Sequence, residues 1–294
     1  MKASDFNYVC PSSVEEATNL LALHGDGAKV IAGGQSLVPA LNLRLLAPEI
    51  LIDIGRIDTL RYISVADGTV RIGALARHVD LLNSREIAEH LPLLAKAITY
   101  VAHPAIRNRG TIGGNLAHAD PASELPACMM ALDAVMVISG PSGERRVAAS
   151  EFFLGIYETA LASDELLIGL EIPVTAAGSR FYFHEFSRRN GDFAIAGLAA
   201  QANVRDATVE SLRLAYFAIG GRATLAAHAA AKVAGQSISP TVIADAQAAL
   251  AEDLEPHDDQ QASSAMRLHL AKVLLERCMS DLVQDQEMKR KASA

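Results

Sequence analysis

Two glycine pairs constrain this chain more than any other feature of its sequence: Ala32-Gly33-Gly34-Gln35-Ser36 and Thr111-Ile112-Gly113-Gly114-Asn115. Glycine reaches positive φ without a steric penalty, and it lets backbone N–H groups approach a ligand with no Cβ in the way. The first pair leaves the β-branched run Lys29-Val30-Ile31 and enters a helical pattern from Leu37 to Leu46. A helix start behind such a turn adds free N–H groups and the positive end of a dipole, which favour an anion. Two cradles in one chain suit a ligand with two phosphates. Two tight turns would use the same residues, and the spacing alone does not choose between them. Familiar phosphate and nucleophile motifs are missing. There is no Gly-x-x-x-x-Gly-Lys-Ser/Thr, no Gly-x-Ser-x-Gly elbow and no His-Glu-x-x-His, and Gly25-x-Gly27 precedes a strand instead of following one.

Around these loops helical and extended signals alternate. Ser13-Val14-Glu15-Glu16 reads as a capping box opening a helix with Val14, Ala17, Leu20 and Leu21 on one face, stopped by Gly25 to Gly27. Ile50-Leu51-Ile52 and Val70-Arg71-Ile72 read as strands, and Leu93 to Ala102 as a helix. Val135 to Ile138, the turn Gly140-Pro141-Ser142-Gly143 and Val147 predict a hairpin, and Leu166 to Ile172 a strand closed by Pro173. The small, polar segment Val174 to Ser179 marks a domain boundary, giving 1–175 and 176–294. Beyond it Phe181 to Phe186 and Val209 to Ile219 read as strands, and Ala223 to Ala234, Val242 to Ala251 and Ala265 to Val283 as helices. Met266, Leu270, Val273, Leu274 and Cys278 form an apolar stripe for a helical bundle, and the charged tail from Gln284 is expected to fray.

Composition removes several function classes. At 294 residues and 50% hydrophobic the chain can bury one large core or two. A net charge of -8 leaves no basic surplus for nucleic acid. No apolar run is long enough for a membrane helix, and the start lacks the apolar stretch of a secretory signal. Cys10, Cys128 and Cys278 are far apart and odd in number, which argues against disulfides, a zinc site or an iron–sulfur cluster, and for the cytoplasm.

The motifs Ala32-Gly33-Gly34-Gln35-Ser36-Leu37 and Thr111-Ile112-Gly113-Gly114-Asn115, at this separation, resemble the paired flavin loops of the FAD-binding medium subunit of molybdenum hydroxylases. That family includes aerobic carbon monoxide dehydrogenase, quinoline 2-oxidoreductase and the flavin domain of xanthine dehydrogenase, and the likeness runs along essentially the whole chain. It implies an α+β protein. Two N-terminal α+β subdomains bind FAD, and a C-terminal domain of a small antiparallel sheet plus helices closes over it. It further implies that Ile31, Ala32, Gly33, Gly34, Gln35, Ser36 and Leu37 wrap the pyrophosphate. Thr111, Ile112, Gly113, Gly114 and Asn115 form the opposite wall. Glu124 matches an acidic residue on FAD hydroxyls, with Asp120 a second candidate that is equally an ordinary turn opener. Leu167 matches a residue on the adenine side, Val101 a further contact, and Phe193 an aromatic against the isoalloxazine ring that could instead be core. Arg188 and Arg189 lie in the loop beside that ring, either toward reduced flavin or on a solvated basic face.

Two positions depart from the family. His184 stands where xanthine dehydrogenase has a lysine near the flavin, and Ile156, followed by Tyr157, where it has a tyrosine near its nicotinamide site. No role carries over to them, nor to His103 or His118, which lack a nucleophile partner. The resemblance implies an electron-transfer subunit. A large partner would carry the molybdenum cofactor, and a small partner two [2Fe-2S] clusters, in a heterotrimer or its dimer acting on a substrate such as an N-heteroaromatic compound. The readings set against it are a self-sufficient FAD oxidoreductase on a related fold and a non-catalytic scaffold whose glycine loops are only turns.

Overall fold

The computed structural model describes residues 2–189, 191–205 and 208–292, with side chains up to Leu282. The chain divides into two compact units that exchange segments. The first is Met1–Glu86, His103–Ala119 and Ala134–Pro173; the second is Ile87–Ala102, Asp120–Asp133 and Val174–Ala294.

The first unit holds a three-stranded sheet, a five-stranded sheet and a two-stranded ribbon of Phe153–Gly155 with Glu158–Thr159. Asn7–Val9, Ile50–Asp53 and Ala28–Ile31 form a parallel sheet with Ile50–Asp53 in the middle. Val14–His24 packs beside it, burying Ala17 and Leu21 against Ile50, Ile52, Ile54 and Leu75. Its capping is shared: Ser13 Oγ accepts from Glu16 N–H, while the Glu16 carboxylate accepts from Ser12 N–H. The second sheet is antiparallel, in the order Ile63–Ala66, Thr69–Gly73, Leu166–Pro173, Val135–Gly140 and Gly143–Ala148. Its first hairpin turns on Asp67 and Gly68, both at positive φ, a pairing that matches the twist of two antiparallel strands.

The second unit is a four-stranded antiparallel sheet, Ser179–Ser187, Ala194–Arg205, Thr208–Phe217 and Thr224–Leu225, covered by helices. The C-terminal helix Ser264–Ala292 and the helix Pro240–Asp253 bury one sheet face. Leu274, Leu275, Cys278 and Met279 meet Ala246, Leu250, Leu198, Leu214 and Tyr216 there. The expected stripe is therefore shifted. Met266 is half exposed while Leu275 and Met279 are buried, because the helix lies on a sheet as well as on another helix. The helical backbone continues through the tail from Gln284 to Ala292.

Three expected helices are shorter than their patterns. The helix from Leu37 ends at Asn42, where Arg44 turns to positive φ. The helix at Leu93 spans Pro92–Ala97, and Ala102 is again left-handed. Thr224–Leu225 is an edge strand, so that helix spans only Ala227–Val233. The long strand Ala194–Arg205 has no counterpart in the sequence reading.

Candidate cofactor-binding site

The first glycine motif begins where Ala28–Ile31 ends, at the C-terminal edge of the parallel sheet. Ligands of open parallel sheets are met at this edge, because the strands deliver their connecting loops there. Gly34 sits at φ +71°, which requires glycine. Gln35 Nε2 donates to Gly33 O at 3.1 Å and ties the turn to itself. Among the described residues the N–H groups of Gly33, Gly34, Gln35 and Ser36 have no acceptor in the protein, and the Ser36 hydroxyl makes no helix cap. A row of free N–H donors ending in a free hydroxyl is suited to phosphate oxygens.

The second motif is built differently. Thr111 caps the helix Ile112–His118, its hydroxyl accepting from Gly114 N–H at 3.2 Å, so Gly113 and Gly114 belong to the first helical turn. Their neighbours are also engaged. Ile112 N–H donates to Ala76 O, Gly113 N–H to Ala74 O and Asn115 N–H to Thr111 O. The donors expected in this second cradle are thus spent inside the protein. What it offers is a bare surface, with Gly114 exposed and no Cβ over it. Gly113 has to be glycine for another reason: a Cβ there would stand 2.5 Å from the Ala74 Cβ.

The two motifs lie against each other. A Cβ on Gly33 would fall 2.3 Å from Arg109 O and 2.8 Å from Gly110 Cα, and one on Gly114 would come 3.8 Å from the Ala32 Cβ. The sequence reading missed a third piece of this wall, Ala74 to His78. His78 N–H donates to Gly110 O at 2.9 Å, and Arg77 bridges Thr111. Burial pushes the His78 imidazole down to about 4, with Arg107 acting the same way, so the ring behind the loop is neutral. A donor-lined turn facing a Cβ-free helix start is a cradle that fits the diphosphate of FAD.

Leu167 also belongs to this first unit and is a buried residue of the strand Leu166–Pro173. The second unit carries Val101, Asp120, Glu124 and Phe193. Val101 is buried. Asp120 opens a turn, accepting from Ala122 N–H at 2.9 Å. Glu124 starts the helix Glu124–Ala131, and burial drives its carboxyl up to about 7, Asp120 adding to the effect. The carboxyl of Glu185, on the strand Ser179–Ser187, is driven up to about 8 by burial and then by Glu124, and one of its oxygens has no partner. Glu185 was not picked out from the sequence. Its signal was a lone acid alternating with aromatics in Phe181-Tyr182-Phe183-His184-Glu185-Phe186.

Phe193 is 57% exposed in the segment between two strands, so it is not a core residue. Asp192 lies 3.4 Å from Arg188 and 3.6 Å from Arg189 and accepts from Phe193 N–H, holding that segment together. In the first unit the His118 and Tyr157 rings stand 4.9 Å apart, and Ile156 is exposed.

The chain is similar to known proteins along nearly its whole length. Residues 4–175 match the family model described as the FAD binding domain in molybdopterin dehydrogenase, and residues 181–282 that of the CO dehydrogenase flavoprotein C-terminal domain. The 6-hydroxypseudooxynicotine dehydrogenase complex subunit alpha of Paenarthrobacter nicotinovorans is 40% identical over 282 residues, 95% of each chain. Among solved structures, carbon monoxide dehydrogenase from Hydrogenophaga pseudoflava superposes with a TM-score of 0.93 at 38% identity, over 95% of this chain and 98% of that one. Quinoline 2-oxidoreductase from Pseudomonas putida 86 gives 0.91 at 37%, over 97% and 99%.

Proposed function

Because the chain belongs to the family of FAD-binding subunits of molybdopterin dehydrogenases, we propose that it takes electrons one at a time from [2Fe-2S] clusters of a small partner subunit and passes them to an external acceptor. The chain is a subunit of an oxidoreductase, and its cofactor is FAD. The observation that carries the reading is the apposition of the two glycine motifs, one with four unpartnered N–H groups and the other with a bare helix start. When bound, FAD supplies the junction between single-electron and two-electron chemistry.

The chain's own residues hold and shield it. The N–H groups of Gly33 to Ser36 and the Ser36 hydroxyl donate to the diphosphate, while Ile112 to Asn115 close the opposite side. Glu124 receives hydroxyl hydrogen bonds, with Asp120 beside it, and Phe193, free of the core, covers the flavin ring against water. Val101 and Leu167 supply apolar contact. Substrate oxidation resides on a large partner carrying the molybdenum cofactor, in a heterotrimer or its dimer in the cytoplasm. An N-heteroaromatic substrate is favoured by the similarity to subunits named for quinoline and 6-hydroxypseudooxynicotine.

The test begins with the purified chain. It should carry releasable FAD, and that FAD should be reduced by substrate only when both partners are added. A colourless complex, or substrate turnover by this chain alone, would overturn the reading.

A further inference from the structure

Behind the second glycine motif lies a buried imidazole that bonds to nothing. His78 opens the helix His78–Asn83 and is 3% exposed. Among the described residues neither of its ring nitrogens has a hydrogen-bond partner. A buried polar atom left unpaired costs free energy that an apolar side chain of similar size would not. Something other than a hydrogen bond has to account for a histidine there.

Its position does. The His78 N–H donates to Gly110 O at 2.9 Å, and the ring turns back over the same residue. A Cβ on Gly110 would fall 3.1 Å from both Cε1 and Nδ1 of the ring, so the ring is seated against the bare side of Gly110. The α-carbon of Gly110 is in turn what Gly33 meets, 2.8 Å from where a Gly33 Cβ would stand. His78, Gly110 and Gly33 thus form one run of contacts across the line where the two motifs touch, all within the first unit. In a close-packed interior a shift of the ring is passed on to the motifs. Of the charged residues on the elements around it, Arg107 on the helix Pro104–Arg107 acts on the ring. His103, at the start of that helix, and Arg109, beside Gly110, are exposed. On its own helix Asp80 accepts from Arg77 N–H. Burial and Arg107 oppose a charged ring, and the Thr111 backbone favours one.

Resting on the FAD reading, we propose that His78 is a positioning residue for FAD: its uncharged ring presses Gly110 toward Gly33 and so fixes the distance across the cradle. A ring that takes a proton gains a charge with no acceptor and has to leave its pocket, and the motifs then part. In the open cradle the ring titrates at its ordinary 6.5, against about 4 in the closed one. The cradle therefore holds FAD best above pH 6.5 and loses it progressively as pH falls toward 4.

Fluorescence of released FAD, followed as the FAD-loaded full chain is diluted at pH 8 and at pH 5, tests this. His78→Phe keeps a flat ring and removes the titrating nitrogens, and at pH 8 its Kd for FAD should stay within about twofold of the parent. His78→Ala removes the ring and should weaken FAD at least about tenfold. From pH 8 to pH 5 the parent should lose about tenfold more affinity than His78→Phe. Glu124 titrates in both chains alike, so that difference reports on His78. Far-ultraviolet circular dichroism of the variants should match the parent at both pH values, and where His78→Ala does not fold, the pH comparison decides alone. Equal pH dependence in the parent and His78→Phe, or a folded His78→Ala that holds FAD as tightly as the parent, would overturn the proposal. A parent chain without FAD at pH 8 would instead overturn the FAD reading on which it rests.

Discussion

Gly33 shows how much one missing side chain can decide. Its Cα faces the backbone of Arg109 and Gly110 so closely that a methyl group would overlap a carbonyl oxygen. Gly33→Ala must separate the two motifs, at an overpacking cost of about 1–3 kcal/mol. The loops would no longer close on one ligand, and the FAD-to-protein absorbance ratio after desalting should fall at least about tenfold while far-ultraviolet circular dichroism is kept. Gly34→Val should lose FAD as well, since a β-branched residue is strained at φ +71°. That both pairs had to be glycine was readable from the sequence; that they need each other was not, because the partner of Gly33 is backbone far along the chain. The donor count was equally hidden, and only Ala74 and Ala76 reveal that the second motif has spent its N–H groups. The buried acids make a second prediction at this scale. Glu124 and Glu185 lose protons near 4.5 in an unfolded chain and near 7 and 8 when folded, with Asp120 and Cys128 the other titratable groups coupled to Glu124. The folded state therefore holds extra protons between those values. Its advantage is complete below about pH 4.5 and disappears as pH rises through 7 and 8. The thermal midpoint of the flavin-free chain should decline from about pH 5 to about pH 8.5, and Glu185→Gln should flatten that decline; an unchanged slope would mean Glu185 is not held protonated.

At the scale of elements, the C-terminal helix is fixed by a charge where its pattern suggested only apolar contact. Arg267 is buried and donates to Ile195 O at 2.6 Å, to Ala218 O, and to Asp259 at 2.6 Å. It thereby joins the start of the helix to the strand Ala194–Arg205, to Ala218 just past the strand Thr208–Phe217, and to the segment before it. Arg267→Ala would leave two carbonyls and a carboxylate without their donor, and the urea midpoint should report a loss of about 3–5 kcal/mol. Arg267→Lys should recover little of it, since one ammonium cannot span the guanidinium fork. The same unit shows why the strand Ala194–Arg205 escaped the pattern. Its alanines favour helix in isolation, and the strand exists because Ala196, Leu198 and Ala200 fill a face shared with the helices. Gly197 leaves room for the Phe217 ring on the other face, where a Cβ would stand 2.1 Å from it. By contrast the hairpin Val135–Gly140 with Gly143–Ala148 was readable, because its turn residues and alternation are local. Asp67-Gly68 carried the same kind of signal for the strand Ile63–Ala66, which the reading passed over.

For the whole molecule, the question is which steps of a redox reaction one chain can perform. Its cysteines decide this. Cys128 and Cys278 are fully buried with thiols raised by burial, Cys10 stands apart, and among the described residues no group of three His, Cys, Asp or Glu side chains converges. A [2Fe-2S] cluster takes four converging ligands, commonly thiolates, and this chain has no way to assemble them from its three cysteines. On the proposed reading the glycine motifs hold the diphosphate and the electrons come from clusters on a partner subunit. The FAD-loaded chain alone should therefore show flavin absorbance without the broad visible bands of a cluster, and it should not oxidise quinoline with an artificial acceptor. Chemical reduction of its FAD, followed by reoxidation by that acceptor, should proceed without partners, because this half-reaction uses only the cofactor and its shield. Phe193→Ala should leave FAD content unchanged and speed reoxidation by oxygen, if Phe193 covers the flavin ring as proposed, since it touches no diphosphate donor. If reoxidation is as slow as in the parent chain, the shield lies elsewhere, and the segment from Arg188 to Phe193 has another task in the assembly.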